Sequence, residues 1–374
     1  MARCHPLFLM CLCSWIFRCK IFLPLFVLFF SLNVNAKEDY SVFFSIYKQA
    51  YVETIPYQAF TDDLKTSSYQ AGSFAMDHTF LTLGFSYKTW YLGFIQRHHG
   101  FANFSPDSAE SIYFYANKKD LPADKTYKIE IEASQTKIVG LQIAKIFRFR
   151  NALQFKADVN FLYGYLLNEG TLTGDVHADT DSDLSFQNLQ LDYTYTEDEI
   201  FDRPVDPPTG LGASTDIHMN WQIHPRLMLT ADIYNLVSYL NWKNAPNTTA
   251  EVNSNKKTYD ENGYVSISPS LEGFEGFTSF SQKLTRISHF SADLIMRNNT
   301  KFLLDLLNSN KKTFVSVGTG FYWKGIWRVL YNWKYHAPSI SYQRKLFSLT
   351  LQSDHYSFSE ARYVGIDLRY EWEF

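Results

Sequence analysis

The feature that most constrains the fold of this chain is a strict alternation of apolar and polar residues, clearest from Leu153 to Tyr165. Every second side chain from Leu153 onward is apolar, whereas the positions between include Gln154, Lys156 and Asp158. Successive side chains of a β-strand point to opposite faces, so the pattern gives one apolar and one polar face. A helix would place Lys156 and Asp158 on its apolar side, so we predict a strand.

The same period-two pattern recurs along the chain. Residues 216–224 and 326–335 show it clearly, and Pro225-Arg226 joins the first of these to a further alternating segment from Leu227. A succession of such segments predicts an all-β protein. Weaker strand candidates are 79–87, 90–97, 110–116, 126–134, 137–147, 184–196, 263–269, 277–284, 288–298, 313–323 and 346–353.

The connections between these strands fall into two lengths. In membrane β-barrels short turns face the periplasm and long loops face the exterior. Counted back from the C terminus, 167–183 and 197–213 are both outer loops with only 184–196 between them, so a further strand or a long periplasmic connection is expected. The short turns are Lys88-Thr89, Arg150-Asn151, Pro225-Arg226 and Lys324-Gly325, and the long polar connections are 167–183, 197–213, 241–262 and 354–362.

Composition favours a membrane barrel over a bundle of membrane helices. Hydrophobic residues make up 46% of the chain and mean hydropathy is -0.23, too polar for several apolar helices of about 20 residues each. Aromatic residues reach 17%, as expected where Tyr, Phe and Trp form girdles at the two membrane surfaces. A soluble, tyrosine-rich sandwich would share part of this signal.

Residues 1–36 are predicted to be a cleaved export signal. Arg18 and Lys20 precede the apolar run 21–30, and Val34-Asn35-Ala36 fits a small-residue cleavage site. An uncleaved membrane anchor is the alternative. The remainder, 37–374, is predicted to be one domain.

Cysteine and charge agree with export. All four cysteines lie in the leader, so the mature chain would carry no thiol through the oxidising periplasm. The formal charge of -3 becomes more negative when the leader is removed, and no basic surface is predicted. Nucleic acid is therefore not an expected partner. The cysteines are Cys4, Cys11, Cys13 and Cys19.

The last twelve residues, YVGIDLRYEWEF, alternate without interruption and end in Phe374. Tyr370, Trp372 and Phe374 lie on the apolar face of this segment. The segment resembles the closing strand of Gram-negative outer-membrane proteins. That resemblance implies recognition of these three residues by the barrel-assembly machinery, and a place among outer-membrane lipids and lipopolysaccharide. The alternative is an amphipathic edge strand of a soluble protein.

The sequence thus predicts an all-β fold, a single transmembrane antiparallel β-barrel of about fourteen strands (twelve to sixteen), closed by the C-terminal strand. The expected location is the outer membrane after Sec-type export. The polar faces of the strands supply candidate lumen-lining residues. These are Lys156, Asp158, Asp216, His218, Asp232, Arg328, Lys334, Asp367, Arg369 and Glu371.

No catalytic, metal or cofactor site is predicted. A Ser-His-acid set was sought around Asp77-His78, His98-His99 and His218, without a match in register. Arg97-His98-His99-Gly100 is interpreted as a turn, and its adjacent histidines would point to opposite faces.

Spaced carboxylates in the predicted loop 167–183 suit calcium, yet a solvated loop is the preferred interpretation because the spacing does not match an EF-hand. They are Asp175, Asp179, Asp181 and Asp183.

Three functions remain open at this point. The preferred hypothesis is a pore or transport barrel for small polar solutes. The alternatives are a non-conducting barrel, similar to a stand-alone autotransporter barrel, that acts through its outer loops, and a lipid-modifying enzyme. No long constriction loop is evident in the sequence, and the oligomeric state stays open.

Overall fold

The structure is a computed structural model that describes residues 40–149, 152–178, 184–198, 200, 203–254, 257–259, 265–267, 270–296 and 300–374. The predicted leader, the Arg150-Asn151 turn and Asp179, Asp181 and Asp183 lie outside these residues. Of the four spaced carboxylates, Asp175 is described, and it belongs to a strand.

The described residues form β-strands with two short helices, numbered here in chain order. The first nine strands are β1 (Tyr40–Val52), β2 (Phe74–Tyr87), β3 (Trp90–Phe104), β4 (Lys125–Phe149), β5 (Leu153–Ala178), β6 (Leu184–Tyr195), β7 (Gly210–His224), β8 (Leu227–Asn253) and β9 (Lys257–Tyr259). The others are β10 (Val265–Ile267), β11 (Ser270–Gln282), β12 (Ile287–Ile295), β13 (Lys301–Ser309), β14 (Lys312–Tyr322), β15 (Ile326–Asn332), β16 (Ala337–Arg344), β17 (Phe347–Ser353) and β18 (Tyr363–Glu373).

The helices are α1 (Tyr57–Thr61) and α2 (Pro106–Ala116). Within the described residues, neither is long and apolar enough to cross a membrane.

Fourteen strands close into an antiparallel barrel, as predicted. Their order around the wall is β1 to β5, β7, β8 and β12 to β18. The C-terminal strand closes the ring, because β18 pairs with β1 from Ser41 opposite Glu373 to Tyr51 opposite Tyr363. Short turns lie at the end that holds Tyr40 and Phe374, called here the turn end, and the opposite end is the loop end.

Five strands build a second structure above the loop end. β5 pairs with β7 over its first half but with β6 over Asn168–Ala178. β8 likewise pairs with β7 below, then with β6 and β11 above. We call the parts of β4, β5, β6, β8 and β11 beyond the barrel the upper sheet.

Two segments that were predicted to be loops belong to the upper sheet. Residues 167–178 and 241–253 are strand rather than polar loop, because neighbours satisfy their backbone groups. β6 does not cross the barrel wall at all. The strand count therefore needs neither a missed strand nor a long periplasmic connection.

Several predicted strands differ in the structure. Residues 110–116 belong to α2, where Ser105 accepts a hydrogen bond from the Ser108 amide and Pro106 is the first helical residue. The candidates 126–134 and 137–147 are one strand, β4. The 326–335 candidate ends at Asn332, and 277–282 belongs to β11 outside the barrel ring.

The outer wall carries an apolar band with aromatic residues at both edges. Their exposure on the outward face fits two aromatic girdles. At the turn end they are Tyr40, Tyr87, Trp90, Phe149, Trp221, Trp372 and Phe374, and near the loop end Tyr163, Tyr165, Tyr239 and Trp333.

Candidate functional site

Opposite walls of the barrel touch across the lumen. His78 Nε2 on β2 lies 2.8 Å from Ser309 Oγ on β13, although six strands separate β2 from β13 in either direction around the wall. The Tyr47 ring on β1 stacks on Tyr234 of β8 at 6.1 Å. The barrel is therefore flattened, and side chains fill the space where a round barrel of fourteen strands would hold water.

A buried ion pair lies at the centre of this flattened region. Arg97 of β3 forms a bidentate contact with Asp216 of β7, and the exposed fractions of the two side chains are 3% and 0%. Arg97 also donates to Asn235 Oδ1 at 2.9 Å, and its guanidinium lies over the Phe80 ring. Asn160 donates to Asp216 at 3.0 Å, so the carboxylate is fully hydrogen-bonded.

Asp216 also supports the wall itself. Pairing between β7 and β8 is irregular here, with Thr215 opposite Val237 and Ile217 opposite Ile233. Asn235, in this bulge, has a φ of 54° and donates its backbone N–H to Asp216 at 2.8 Å. The carboxylate thus satisfies a backbone group that the bulge removes from the strand ladder.

Towards the turn end the lumen holds a cluster of charges, called here the charged chamber. His218 Nδ1 lies 2.8 Å from Asp232, and His218 Nε2 lies 3.2 Å from Asp158. The imidazole thus lies between two carboxylates. Lys156 contacts Asp158 at 3.1 Å, and Arg369 of β18 reaches Asp232 across the lumen at 3.9 Å.

Other predicted lumen residues have polar partners as well. Asp367 accepts from Arg369 at 2.9 Å. Glu371 accepts a hydrogen bond from Ser41 Oγ. Arg328 donates to buried Asp293 at 2.8 Å, an acid that the sequence analysis did not single out.

Lys334 differs from the prediction. It lies in the turn between β15 and β16 rather than on a strand face, with its ammonium over the Tyr335 ring. The strand stops because the Asn332 side chain accepts the Tyr335 backbone N–H at 3.1 Å.

Towards the loop end the lumen is blocked by apolar side chains. One cluster joins β1, β2, β12, β13, β14, β16 and β18, and its rings pack closely, with Tyr51 and Phe314 at 5.7 Å edge to face. These side chains occupy the lumen at this level. The buried members of the cluster are Tyr51, Phe74, Met76, Phe80, Ile287, Leu307, Phe314, Tyr335, Ala337 and Tyr363.

A second blockage comes from residues 282–286, the strap, which join β11 to β12. Leu284 packs inside the barrel against Ile95, Ile138 and Trp242. Gln282 donates to Thr136 at 2.9 Å on β4 and to Glu169. The strap acts as the constriction that the sequence analysis did not find.

The structure contains a buried Ser-His contact, between Ser309 and His78, that sequence spacing could not reveal. Both residues are almost wholly withdrawn from solvent. Asp77 points to the opposite face of β2, where it binds Lys48. Among the described residues no group of three or more His, Cys, Asp or Glu side chains could hold a metal ion.

Arg97, His98 and His99 lie within β3 and not in a turn, because Gly100 continues the ladder opposite Asp77 and Gln135. The expected separation of the two histidines is present. His98 contacts Gln135 at 3.2 Å on the outer face, whereas His99 is buried beside Asn235.

The upper sheet presents a polar face above the lumen, where a cavity of about 650 Å³ opens. Directly paired residues lie on one face of a sheet, and two rows cross all five strands. The first row is Glu132, Thr171, Asp192, Thr249 and Phe274, and the second is Glu130, Thr173, Gln190, Glu251 and Glu272.

The outer face of the upper sheet is held by Arg203. Its guanidinium binds Asp198 and donates to Thr248 at 2.8 Å and Tyr195 at 3.0 Å. Burial and the hydrogen bond to Asp198 raise the pKa of Tyr193, so its hydroxyl stays protonated and donates. The β6–β7 connection is therefore fixed against the sheet instead of forming a free loop.

A lysine at the start of β4 anchors α2 to the upper sheet. Glu110 accepts a hydrogen bond from Lys125 at 2.6 Å, which raises the pKa of the lysine. Asp107 lies 3.5 Å from the same ammonium. The helix is thus tied to the strand by charge as well as by the backbone contacts of Ser108.

The three C-terminal aromatic residues lie on the outer face at the turn end. Tyr370, Trp372 and Phe374 are between 44% and 47% exposed, and the Trp372 and Phe374 rings stack at 5.6 Å. Each is accessible to a partner outside the barrel.

No family model matches the chain, and no curated protein matches it. Among solved structures, the toluene transporter TodX of P. putida is 9% identical, with a TM-score of 0.40 and 91% of both chains covered. The translocator domain of the autotransporter NalP of Neisseria meningitidis is 9% identical, with a TM-score of 0.27, covering 94% of this chain and 92% of that one.

The outer membrane protease OmpT of Escherichia coli is 8% identical, with a TM-score of 0.22, covering 90% of this chain and 95% of that one. These likenesses are too distant to carry a conclusion about what this chain does. Its fold rests on its own strand pairing.

Proposed function

We propose that this protein is an outer-membrane β-barrel with a closed lumen that acts by binding a partner on its upper sheet. The observation that carries the closed lumen is the contact between opposite walls, seen at His78 with Ser309 and at Tyr47 with Tyr234. A pore needs a continuous polar path, and these contacts interrupt it.

The membrane location is supported by the outer wall. Closed pairing of all barrel strands satisfies the backbone, as hydrocarbon requires, and exposed apolar residues such as Leu141, Phe161 and Val237 cover the wall between the aromatic rows. Export by residues 1–36 and recognition of Tyr370, Trp372 and Phe374 by the barrel-assembly machinery belong to the same proposal.

The upper sheet is the favoured binding surface because its polar rows are rigidly paired and accessible. Its two rows contain five carboxylates, of which Glu130 is paired with Lys128 at 2.7 Å. Negative charge still predominates in the rows, so a partner with positive charge suits them best. Phe274, 71% exposed at the end of the first row, offers an apolar contact beside them.

Planar-bilayer recording of the purified, heat-modifiable barrel tests the closed lumen. We expect no stepwise currents. Stepwise currents from the unmodified protein would instead support the second candidate, a pore for small polar solutes. That candidate is favoured by the charged chamber, where Lys156, Asp158 and Arg369 give the mixed-charge walls of an aqueous route.

The binding surface is tested with a fluorescent oligolysine as probe. Reversing Asp192 and Glu251 to lysine is expected to weaken its binding at least about tenfold, since two attractive charges become repulsive. Glu360→Lys, in the β17–β18 loop outside the sheet, serves as the matched control. Equal affinity in all three proteins would contradict a role of the polar rows.

A lipid-modifying enzyme finds less support. Its nucleophile must reach lipid or water, whereas the Ser309–His78 contact is enclosed by the flattened walls.

A further inference from the structure

One part of the chain packs on the outside of the barrel, on the face that the proposed function turns towards lipid. It consists of α1, residues 62–73 and α2, and we call it the collar. Alternate residues of the same strands belong to two different clusters. Tyr51 and Phe74 pack inside the lumen, whereas their neighbours Ala50, Val52 and Ala75 pack with the collar.

The collar contributes large side chains to this outer cluster. Tyr57 of α1 and Tyr113 of α2 are buried in it, and Tyr69 stacks on Tyr113 at 4.6 Å. The Tyr57 hydroxyl also donates to outward-facing Asp77 at 2.7 Å. The collar is thus fixed to the outer wall by both apolar and polar contacts.

The height of the collar can be read from β1. Tyr40 lies in the aromatic row at the turn end, and Ala50, under the collar, is ten residues further along the strand. At about 3.3 Å per residue this is about 33 Å along the strand, or about 25 Å along the barrel axis for a tilt of about 40°. That distance equals the height of a typical apolar band, so the collar lies at its upper edge.

The upper aromatic row is interrupted at the collar. On other strands it is supplied by Tyr163, Tyr239 and Trp333. The outward residues of β1, β2 and β3 beside the collar are polar or small and include no Phe, Tyr or Trp. They are Lys48, Ala50, Asp77, Thr79, His98 and Gly100.

Exposed aromatic and apolar side chains of the collar and of the adjoining loop lie next to this gap in the aromatic row. Tyr115 on α2 is 84% exposed, and Ile112, one turn earlier, is also exposed. Tyr356 in the adjoining β17–β18 loop is 98% exposed, and the Phe358 ring of this loop contacts Tyr57 edge to face at 6.4 Å. Tyrosine favours the boundary between hydrocarbon and water, because its ring is apolar and its hydroxyl polar.

We propose that the collar rests on the lipid head-group layer, with Ile112, Tyr115 and Tyr356 inserted among the head groups. It completes the aromatic row where β1, β2 and β3 leave it open. This inference rests on the proposed membrane location. The experiment below distinguishes the lipid head groups from two other possible binding partners of the collar, a polar protein and a second copy of the chain.

The test uses single cysteines, because residues 37–374 contain none. Nitroxide labels at Ile112→Cys, Tyr115→Cys and Tyr356→Cys are compared in phosphatidylglycerol vesicles by their accessibility to oxygen and to a water-soluble nickel chelate. Leu141→Cys in the apolar band and Asp192→Cys on the upper sheet are the matched controls. Heat-modifiable migration verifies that each variant is folded.

We expect collar labels to be at least about threefold less accessible to the nickel chelate than the Asp192→Cys label. Nickel accessibility equal to that at Asp192→Cys would overturn the inference, as would dipolar broadening between labels that reveals a second copy. If the Leu141→Cys label is itself in water, the proposed membrane location fails instead. The two failures are therefore distinguishable.

Discussion

Arg97 of β3 and Asp216 of β7 form a bidentate ion pair across the barrel interior, with almost no exposure to solvent. Two strands of the ring, β4 and β5, lie between β3 and β7. Charges so far from water are stable only while each is hydrogen-bonded, and here Asn160 and Asn235 complete the set. The pair therefore joins β3 to β7 inside the barrel, across the two strands between them.

Replacing Arg97 by methionine leaves Asp216 buried without its cation. We expect a loss of about 3–5 kcal/mol in the free energy of unfolding, measured by urea titration of the barrel in lipid vesicles. The control is Arg328→Met, because Asp293 keeps Lys301 at 3.2 Å and the Arg328 side chain is partly exposed. There the loss should be about 1 kcal/mol at most. Equal losses of unfolding free energy in the two variants would contradict the larger contribution assigned to the Arg97–Asp216 pair.

Weakening the strap should open the lumen. In the double variant Gln282→Ala, Leu284→Ala the hydrogen bonds to Thr136 and Glu169 and the apolar plug are removed together. Planar-bilayer recording is expected to show stepwise currents that the unmodified protein lacks. Arg286→Ala, an exposed position on the same segment, is expected to stay silent. Silence of the double variant would mean that the aromatic cluster alone closes the barrel.

Space for Trp242 depends on Gly164. A Cβ atom at this position would lie 2.8 Å from the Trp242 ring, closer than real side chains approach, so Gly164→Ala must displace the buried indole. Overpacking of this kind costs about 1–3 kcal/mol, measurable as an earlier urea midpoint. Gly93→Ala is the control, since its nearest neighbour would be at 3.4 Å. We expect Gly93→Ala to unfold at a higher urea concentration than Gly164→Ala. The reverse order would contradict the steric role assigned to Gly164.

The seam between the first and last strands can be tested by a disulfide. Ile46 faces Leu368 directly, so their Cβ atoms should be about 4.5–5.5 Å apart, and Ile46→Cys with Leu368→Cys should oxidise in the folded barrel. Pairing Ile46→Cys with Ile366→Cys shifts the register by two residues and should give little cross-link. Mobility on a non-reducing gel distinguishes the two, and more cross-link in the shifted pair would contradict the register.

The barrel and its closing strand were predictable because alternation directly reports which side chains share a face. In residues 110–116 the run Ile112, Tyr113, Phe114, Tyr115 favours a strand by its β-prone aromatic character. The helix that forms there begins with Ser105-Pro106, a start signal that local sequence does contain. In this segment the helix start signal Ser105-Pro106 outweighs the strand preference of the aromatic residues.

The shape of the lumen was not predictable from the pattern. Alternation assigns Asp158, Asp216 and His218 to the polar faces of their strands, yet it says nothing about how far apart two walls lie. That distance follows from the flattening of the ring, which brings His78 to Ser309, residues far apart in sequence and in strand order. The partners Arg97 and Asn235 were missed for the same reason.

The upper sheet was missed because its residues read as polar loops. In Asn168–Ala178 glycine, threonine and charged residues alternate with few large apolar side chains, the pattern of a strand exposed on one face. Pairing with β4 and β6 makes the segment a strand, and this long-range partnership is absent from any local window.

The continuity of β5 and β8 with the upper sheet has a consequence for how this chain tolerates changes of length. In a barrel whose outer loops are free, insertions and deletions accumulate there at little cost. Here a single-residue deletion within 168–178 would exchange the two faces of the strand and break its pairing with both neighbours. The paired part of the outer region should therefore diversify by substitution at constant length.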